Sequence, residues 1–344
     1  MKAAIFYRRG GPETLSCTEV PDPQPGPDDV LVRVRACGLN HMDIYVREGS
    51  HGMKAPLPHI GGLEAVGEVA ATGANVADWE HGARVLVFAF TNDGTCEFCR
   101  SGRDNLCVAR QVVGVNVDGG FADYVRVPST NLLRIPDDLS FVDAAALQGT
   151  FGTAWHMLVD RARVQPGEWV LVLAAGSGIG SAAVQLAKQF GCMVIATAGS
   201  DAKLQKALAL GADHVIGHTA TPRFEREVMR ITGNRGVDVV FEHIGPATWQ
   251  QSLASLRVGG RVVTCGGSSG RMAETDLWNL FWKQFTVLGS MGVTRRDMTD
   301  VLEFVATSRV LPLIDRTFPL AETREAQTYL ADRRAFGKVV IVPD

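Results

Sequence analysis

Three of the seven cysteines, Cys96, Cys99 and Cys107, crowd into one short stretch, while Cys17, Cys37, Cys192 and Cys265 are scattered. An odd count with one tight cluster reads as thiolate metal ligands, not as a disulfide framework. A second stretch with chemistry in it is Ala174-Ala175-Gly176-Ser177-Gly178-Ile179-Gly180. Side chains this small let backbone N–H groups and the start of a following helix approach a pyrophosphate, which implies a dinucleotide. The run is a variant of the glycine fingerprint, with Ala175 and Ser177 at its first two glycine positions. Ser177, Gly178, Ile179 and Gly180 are the candidate phosphate contacts. The bland alternative is a turn that only packs a helix close to a sheet.

A site specific for NAD usually carries an acid about 20 residues further on, accepting from the ribose 2′-OH. Ala198 stands there, followed by Gly199 and Ser200, with Lys203 just beyond. The missing acid, the room for extra atoms and the nearby cation favour a 2′-phosphate, hence NADP(H). Against this, Ser200 or Asp201 can simply cap the next helix and Lys203 can be solvated. His218 is a further candidate contact to the adenosine phosphate.

These residues need elements to position them. From Val164 onward, short apolar strand runs alternate with helical patterns closed by glycine, the grammar of a doubly wound parallel sheet in an α/β fold. Strands are expected over 169–174, 193–197, 214–216, 237–242, 261–265 and 286–289, with helices over 179–190, 201–210, 223–232 and 247–256. Upstream, Val30, Val32 and Val34 interleave with Leu31, Arg33 and Arg35, and glycines and prolines punctuate often. That is the signature of short, mostly antiparallel strands.

A chain of 344 residues suggests about two domains at roughly 150 residues each. With 46% hydrophobic and 21% charged residues, it is neither disordered, collagenous nor coiled-coil. A net charge of -3 supplies no broad positive field, so no nucleic-acid partner is expected. Arg8 and Arg9 stop the first apolar run short of signal-peptide length, and the apolar run at 169–175 falls far below the roughly 18 residues of a membrane helix. A cytoplasmic protein with no membrane partner is the expectation.

On Ala36-Cys37-Gly38-Leu39-Asn40-His41-Met42-Asp43, Gly62-Leu63-Glu64-Ala65-Val66-Gly67, the Cys96 cluster, Thr153-Ala154-Trp155 and Phe336-Gly337-Lys338-Val339-Val340, the chain resembles the medium-chain dehydrogenase/reductase superfamily over essentially its whole length. The resemblance implies a GroES-like, β-rich catalytic domain over 1–130 and 292–344 and a Rossmann dinucleotide-binding domain over 131–291, with the site in the cleft between them. It also adds Thr153, Gly266 and Lys338 to the cofactor-binding set.

In the family's zinc alcohol dehydrogenases, a catalytic zinc is held at three positions that here read Asn40, Leu63 and Gly149. None is a useful zinc ligand, so a catalytic zinc is not expected. A replacement assembled from His41, His59, Glu64 or Asp43 is the alternative; otherwise Glu64 has a structural, hydrogen-bonded role. The family's structural zinc takes four ligands at a spacing kept here by Asp93, Cys96, Cys99 and Cys107, with a carboxylate in place of the first thiolate. One structural zinc per chain is implied, the alternative being a reduced three-cysteine loop emptied by the lost ligand.

Without a Lewis acid, hydride delivery with hydrogen-bond polarisation of a carbonyl is the more direct chemistry. Asn40, Asp43 and Tyr45 resemble the Asn-x-x-Asp element of the zinc-independent quinone oxidoreductases and form the candidate catalytic set, although Tyr45 can equally be a wall residue. The resemblance implies an enzyme that passes a hydride from NADPH to a small-molecule carbonyl substrate, a quinone or an α,β-unsaturated carbonyl compound. Alternatives are an alcohol dehydrogenase or aldehyde reductase with a rebuilt metal site, an acryloyl-CoA-type enoyl reductase, and a non-catalytic, crystallin-like role. The retained metal lobe sets the chain between the zinc-type and quinone-type branches. A homodimer is implied through edge pairing of the strand at 286–289, whose Phe285, Val287 and Leu288 are an aggregation liability if left bare. Alternatively, segment 277–282 of the same subunit covers that edge.

Overall fold

The computed structural model describes residues 1–308 and 310–343. It divides into two units, Met1–Gly149 with Thr294–Asp344, and Thr150–Val293.

In the second unit Val170, Leu171 and Val172 are fully buried, as a strand covered on both faces requires. Among the described residues this strand, Trp169–Val172, lies inside a six-stranded sheet. Its spatial order is His214–Gly217, Met193–Ala198, Trp169–Val172, Val237–Glu242, Leu256–Thr264 and Thr286–Gly289, every pairing parallel. In chain order that is 3-2-1-4-5-6, the Rossmann arrangement, with its switch point between Trp169–Val172 and Val237–Glu242. The helix Gly178–Gln189 buries Ala182, Ala183, Val184, Leu186 and Ala187, a stripe set by the 3.6-residue period. Asp201–Ala209, Phe224–Ile231 and Pro246–Ala254 follow as helices. The fifth strand starts earlier than its apolar run, at Leu256, because Leu256 pairs with Val237 and a register shift then carries the chain through Gly259 and Gly260.

The first unit is β-rich, as its alternation predicts. Asp29–Leu39 is its central strand, flanked by Glu64–Thr72 and by Lys338–Val342, both antiparallel to it. Arg84–Val87 and Leu132–Arg134 extend one side and Ile314–Pro319 the other. Val30, Val32, Ala65, Val85, Phe121, Val339 and Ile341 form one buried cluster, and each full-sized apolar side chain there contributes about 1.5–3 kcal/mol by leaving water.

The domain boundaries need correcting. The first falls after Gly149, not after residue 130, because 131–149 is tied to the β-rich unit. Leu132–Arg134 pairs with Arg84–Val87, Asn131 Nδ2 donates to Phe88 O at 2.8 Å, and Arg295 donates to Leu132 O at 2.6 Å. The second falls between Val293 and Thr294 instead of after residue 291. Among the described residues no helix is long and apolar enough to cross a membrane.

Candidate functional site

The turn after Trp169–Val172 is built for close approach. Ser177 is the N-cap of Gly178–Gln189, its Oγ accepting the Gly180 N–H at 3.0 Å. Ser181 N–H bonds back to Ser177 O at 2.9 Å. The N–H groups of Gly178 and Ile179 lie before that first helical bond, where a helix has no internal partner for them and its dipole favours an anion. A Cβ at Gly180 would overlap Ala174 O and stand 2.9 Å from Ala175 Cα, so only glycine lets helix and turn come this close. A pyrophosphate fits this donor set.

At the next strand end, Ala198 is buried while Gly199 and Ser200 are exposed. His218 N–H donates to Ala198 O at 3.1 Å, and Thr219 Oγ1 donates to Gly199 O at 3.1 Å. A Cβ on Gly199 would stand 3.2 Å from His218 Nε2. Ala198, Gly199 and His218 are thus brought together, with Ala198 at the position where an NAD-specific site usually carries an acid. Ser200 occupies the N-cap of Asp201–Ala209, yet its side chain makes no capping bond, and Lys203 lies in that helix's first turn. Thr153 starts the short helix Thr153–Trp155, and Gly266 follows the strand Leu256–Thr264 in an exposed position.

Lys338, the remaining expected cofactor contact, belongs to the other unit. It opens Lys338–Val342 in the β-rich unit, and its ammonium is committed there. Nζ donates to Asn40 Oδ1 at 2.7 Å and lies 2.6 Å from Glu64 Oε2. Side-chain exposure is 4% for Lys338 and 1% for Glu64. Glu64 therefore has a charged partner, where sequence reasoning gave it only a structural hydrogen bond. Asn40 Nδ2 is buried and has no hydrogen-bond partner among the described residues.

Asp43 sits beneath this cluster. Its Oδ2 accepts the Asn40 N–H at 2.8 Å and its Oδ1 the Gly62 N–H at 3.0 Å. Burial pushes its carboxyl up to about 7, against the pull of those two N–H donors. Asp43 thus fixes the backbone from which Asn40 projects. Tyr45, on the same helix His41–Glu48, stacks on His51 with ring centroids 3.9 Å apart. That contact is what a wall residue makes.

A catalytic zinc does not fit this cluster. Asn40, Leu63 and Gly149 present no thiolate, imidazole or carboxylate. A Cβ at Gly149 would overlap Glu64 Oε1 and stand 2.8 Å from Asn40 Oδ1, so the Glu64 carboxylate takes the room that a side chain there would need. His59 is fully buried, and its Nδ1 lies 3.4 Å from Asp118.

The metal lobe does fit. Ligand atoms of Asp93, Cys96, Cys99 and Cys107 all lie within 4.8 Å of one another, close to what zinc bonds of about 2.0–2.3 Å require. Asp93 Oδ1 accepts the N–H groups of Thr95 and Cys96 at 2.8 and 3.0 Å. Those donors hold its carboxyl down to about 2, so it stands ready as an anionic ligand.

Sequence reasoning passed over Glu242, which ends the fourth strand at the switch point. It is fully buried and accepts from Ile244 N, Gly245 N and Thr248 Oγ1 at 3.1, 3.1 and 2.6 Å. Burial raises its carboxyl pKa. The available signal was an acid closing an apolar run just before Gly245-Pro246.

A Rossmann sheet with a dinucleotide turn, in one chain with a GroES-like β unit, defines an NAD(P)-dependent oxidoreductase. Residues 26–137 match the alcohol dehydrogenase GroES-like domain and residues 178–307 the zinc-binding dehydrogenase family. The chain is 32% identical to the NAD-dependent alcohol dehydrogenase of Sulfolobus acidocaldarius, covering 99% of both. It is 31% identical to the acryloyl-coenzyme A reductase of Sulfurisphaera tokodaii, covering 100% of both. A solved NAD-dependent alcohol dehydrogenase superposes with a TM-score of 0.95 at 41% identity, covering 99% of both chains. The chain belongs to the medium-chain dehydrogenase/reductase superfamily and is an alcohol dehydrogenase-like enzyme of that group.

Proposed function

We propose that this enzyme reduces a quinone, an enone or a related conjugated carbonyl compound with NADPH and without a catalytic metal. The observation that carries the reading is the polar cluster. Three ligand positions hold no ligand atoms, and in their place stands a buried amide with an unmatched N–H. Asn40 Nδ2 donates to the substrate oxygen as negative charge develops there. Asp43, through the Asn40 and Gly62 N–H groups, keeps that donor in place. The bound nicotinamide supplies the hydride, and solvent supplies the proton. An enoyl-CoA thioester is the second reading, favoured by the likeness to an acryloyl-coenzyme A reductase. Turnover with cyclohex-2-enone, 1,4-benzoquinone, crotonyl-CoA and benzaldehyde separates the readings. Turnover of benzaldehyde alone, abolished by chelators, would overturn metal-free reduction.

Ala198, Gly199 and His218 support NADPH, while two similar proteins are named as NAD-dependent. Lys203→Ala is expected to lower kcat/KM with NADPH about tenfold and to leave NADH nearly unchanged, since it removes a cation near the strand end where NADPH carries a 2′-phosphate and NADH carries none. Equal losses for both cofactors would refute it.

Zinc, when bound by Asp93, Cys96, Cys99 and Cys107, closes the lobe as a structural cross-link. Elemental analysis is expected to give one zinc per chain, and Asp93→Ala to lose that metal on dialysis while the wild type keeps it. Two zincs per chain would sink the assignment.

A homodimer completes the proposal. Thr286–Gly289 is an edge strand with Val287 44% exposed, and Trp278 and Trp282 on the adjoining segment are 66% and 70% exposed. So much bare apolar surface beside an open edge supports pairing with a second copy. Light scattering should report twice the chain mass, and Val287→Pro, which deletes a ladder donor, the single mass. A monomeric wild type at micromolar concentration excludes the dimer.

A further inference from the structure

Two opposite charges with 4% and 1% side-chain exposure are costly to desolvate, and apolar residues of similar volume are often at least as stable. Stability alone therefore does not account for the Lys338–Glu64 pair. Two glycines make its room. A Cβ at Gly38 would overlap Glu64 Oε2 and stand 2.9 Å from Lys338 Cε, and a Cβ at Gly149 would overlap Glu64 Oε1. The pair has a third member, because Lys338 Nζ donates to Asn40 Oδ1 at 2.7 Å. An ammonium has three donors and no acceptor, so the oxygen of the Asn40 amide must face it, which also settles which amide atom is which. Nδ2 then faces away from the ammonium, buried and without a hydrogen-bond partner among the described residues. A buried donor left unmade costs about 1–3 kcal/mol, and such an orphan calls for an explanation in the native fold.

We propose that Lys338 is a positioning residue of the reaction: clamped by Glu64, it fixes the Asn40 amide with its N–H presented to the substrate carbonyl oxygen. This rests on the reading of Asn40 as the polarising donor. The ammonium does a second thing, since positive charge on Oδ1 polarises the amide and strengthens its N–H as a donor. The chain ammonium, amide, substrate oxygen thus places a fixed positive charge one group removed from the developing oxyanion.

The test is a double-mutant cycle. Lys338→Met alone leaves Glu64 as a buried charge without a partner and can unfold the unit, so the working variant is Glu64→Gln with Lys338→Met, which removes both charges together. It is made with and without Asn40→Ala. The cycle is run on whichever of cyclohex-2-enone, 1,4-benzoquinone and benzaldehyde the wild type reduces fastest. A failed substrate assignment is then read from the wild-type rates, and a failed Lys338 assignment from the coupling. Losing the oriented donor should lower kcat about tenfold in the double variant, less than loss of a full oxyanion-hole donor, with the NADPH Kd within about twofold. Asn40→Ala should then cost nothing further. In a crystal structure of the double variant the Asn40 amide should leave its present orientation. A double variant with wild-type kcat, or a further tenfold loss on adding Asn40→Ala, or an Asn40 amide that stays in place, would overturn the proposal.

Discussion

Asn40→Ala is expected to lower kcat about tenfold for cyclohex-2-enone and 1,4-benzoquinone while NADPH affinity stays nearly unchanged. The unmatched Nδ2–H is a donor worth more to a developing oxyanion than to a ground-state carbonyl, so the loss belongs in kcat. Removing one such donor in an oxyanion hole costs about 100-fold to 1000-fold. The smaller figure here reflects easily reduced quinones and water that can partly replace the amide. Alanine also takes away the Oδ1 that accepts from Lys338, a contact to a charged group worth about 1.5–3 kcal/mol, so thermal stability falls too. Asn40→Asp separates the effects. It keeps an oxygen for Lys338, removes the N–H and adds negative charge, so it should lose more rate and less stability than alanine. Wild-type turnover of every substrate by Asn40→Ala would make Asn40 a packing residue and pass the polarising role to Tyr45 or to bound water.

Gly38→Ala is expected to cost about 3 kcal/mol of stability, at the upper end of overpacking penalties. The added methyl would meet Ala145 O, a backbone atom, as well as Glu64 Oε2. Gly38 cannot move away, because its strand is paired on both sides, with Glu64 across one ladder and Val340 across the other. Gly149→Ala makes a useful contrast. Its overlaps are with side-chain ends, Glu64 Oε1 and Asn40 Oδ1, which can swing aside. That variant should lose less stability and more kcat, because what swings is the amide itself. Urea unfolding with an unchanged m-value reads the stability term, and a Gly38→Ala midpoint equal to wild type would refute the packing argument.

The Rossmann half was legible because each step rests on local information. Buried strands read as apolar runs, helices as a 3.6-residue stripe, and the turn from Ala174 to Gly180 as small residues between them. The convergence of Asp93, Cys96, Cys99 and Cys107 was legible for the same reason, since the four lie close along the chain. The boundary after Gly149 was not, because what decides it is pairing of Leu132–Arg134 with a strand nearly fifty residues earlier. Lys338 shows the limit most clearly. A lysine in a Gly-Lys-Val run carries no mark of its partners, and these lie far away in sequence, at Asn40 and Glu64. Likewise, the side chains absent at Gly38 and Gly149 say nothing until the atoms that fill their space are known.

The β-rich unit is discontinuous, and its central ladder joins Leu39 to Val339 and Gly38 to Val340. That imposes an order of assembly. The unit Thr150–Val293 is one unbroken stretch and can fold as it leaves the ribosome, as domains generally do. Tyr124–Pro128 covers residues 29–33 on that side of the strand Asp29–Leu39, but its Cys37–Leu39 end has to wait unpaired until the returning strand is made, a short bare edge of the kind that recruits wrong partners. Lys338 meets Asn40 across 298 positions of chain. The closing of this ladder is therefore the late, non-local event in folding, and the polar cluster exists only in molecules that have completed it.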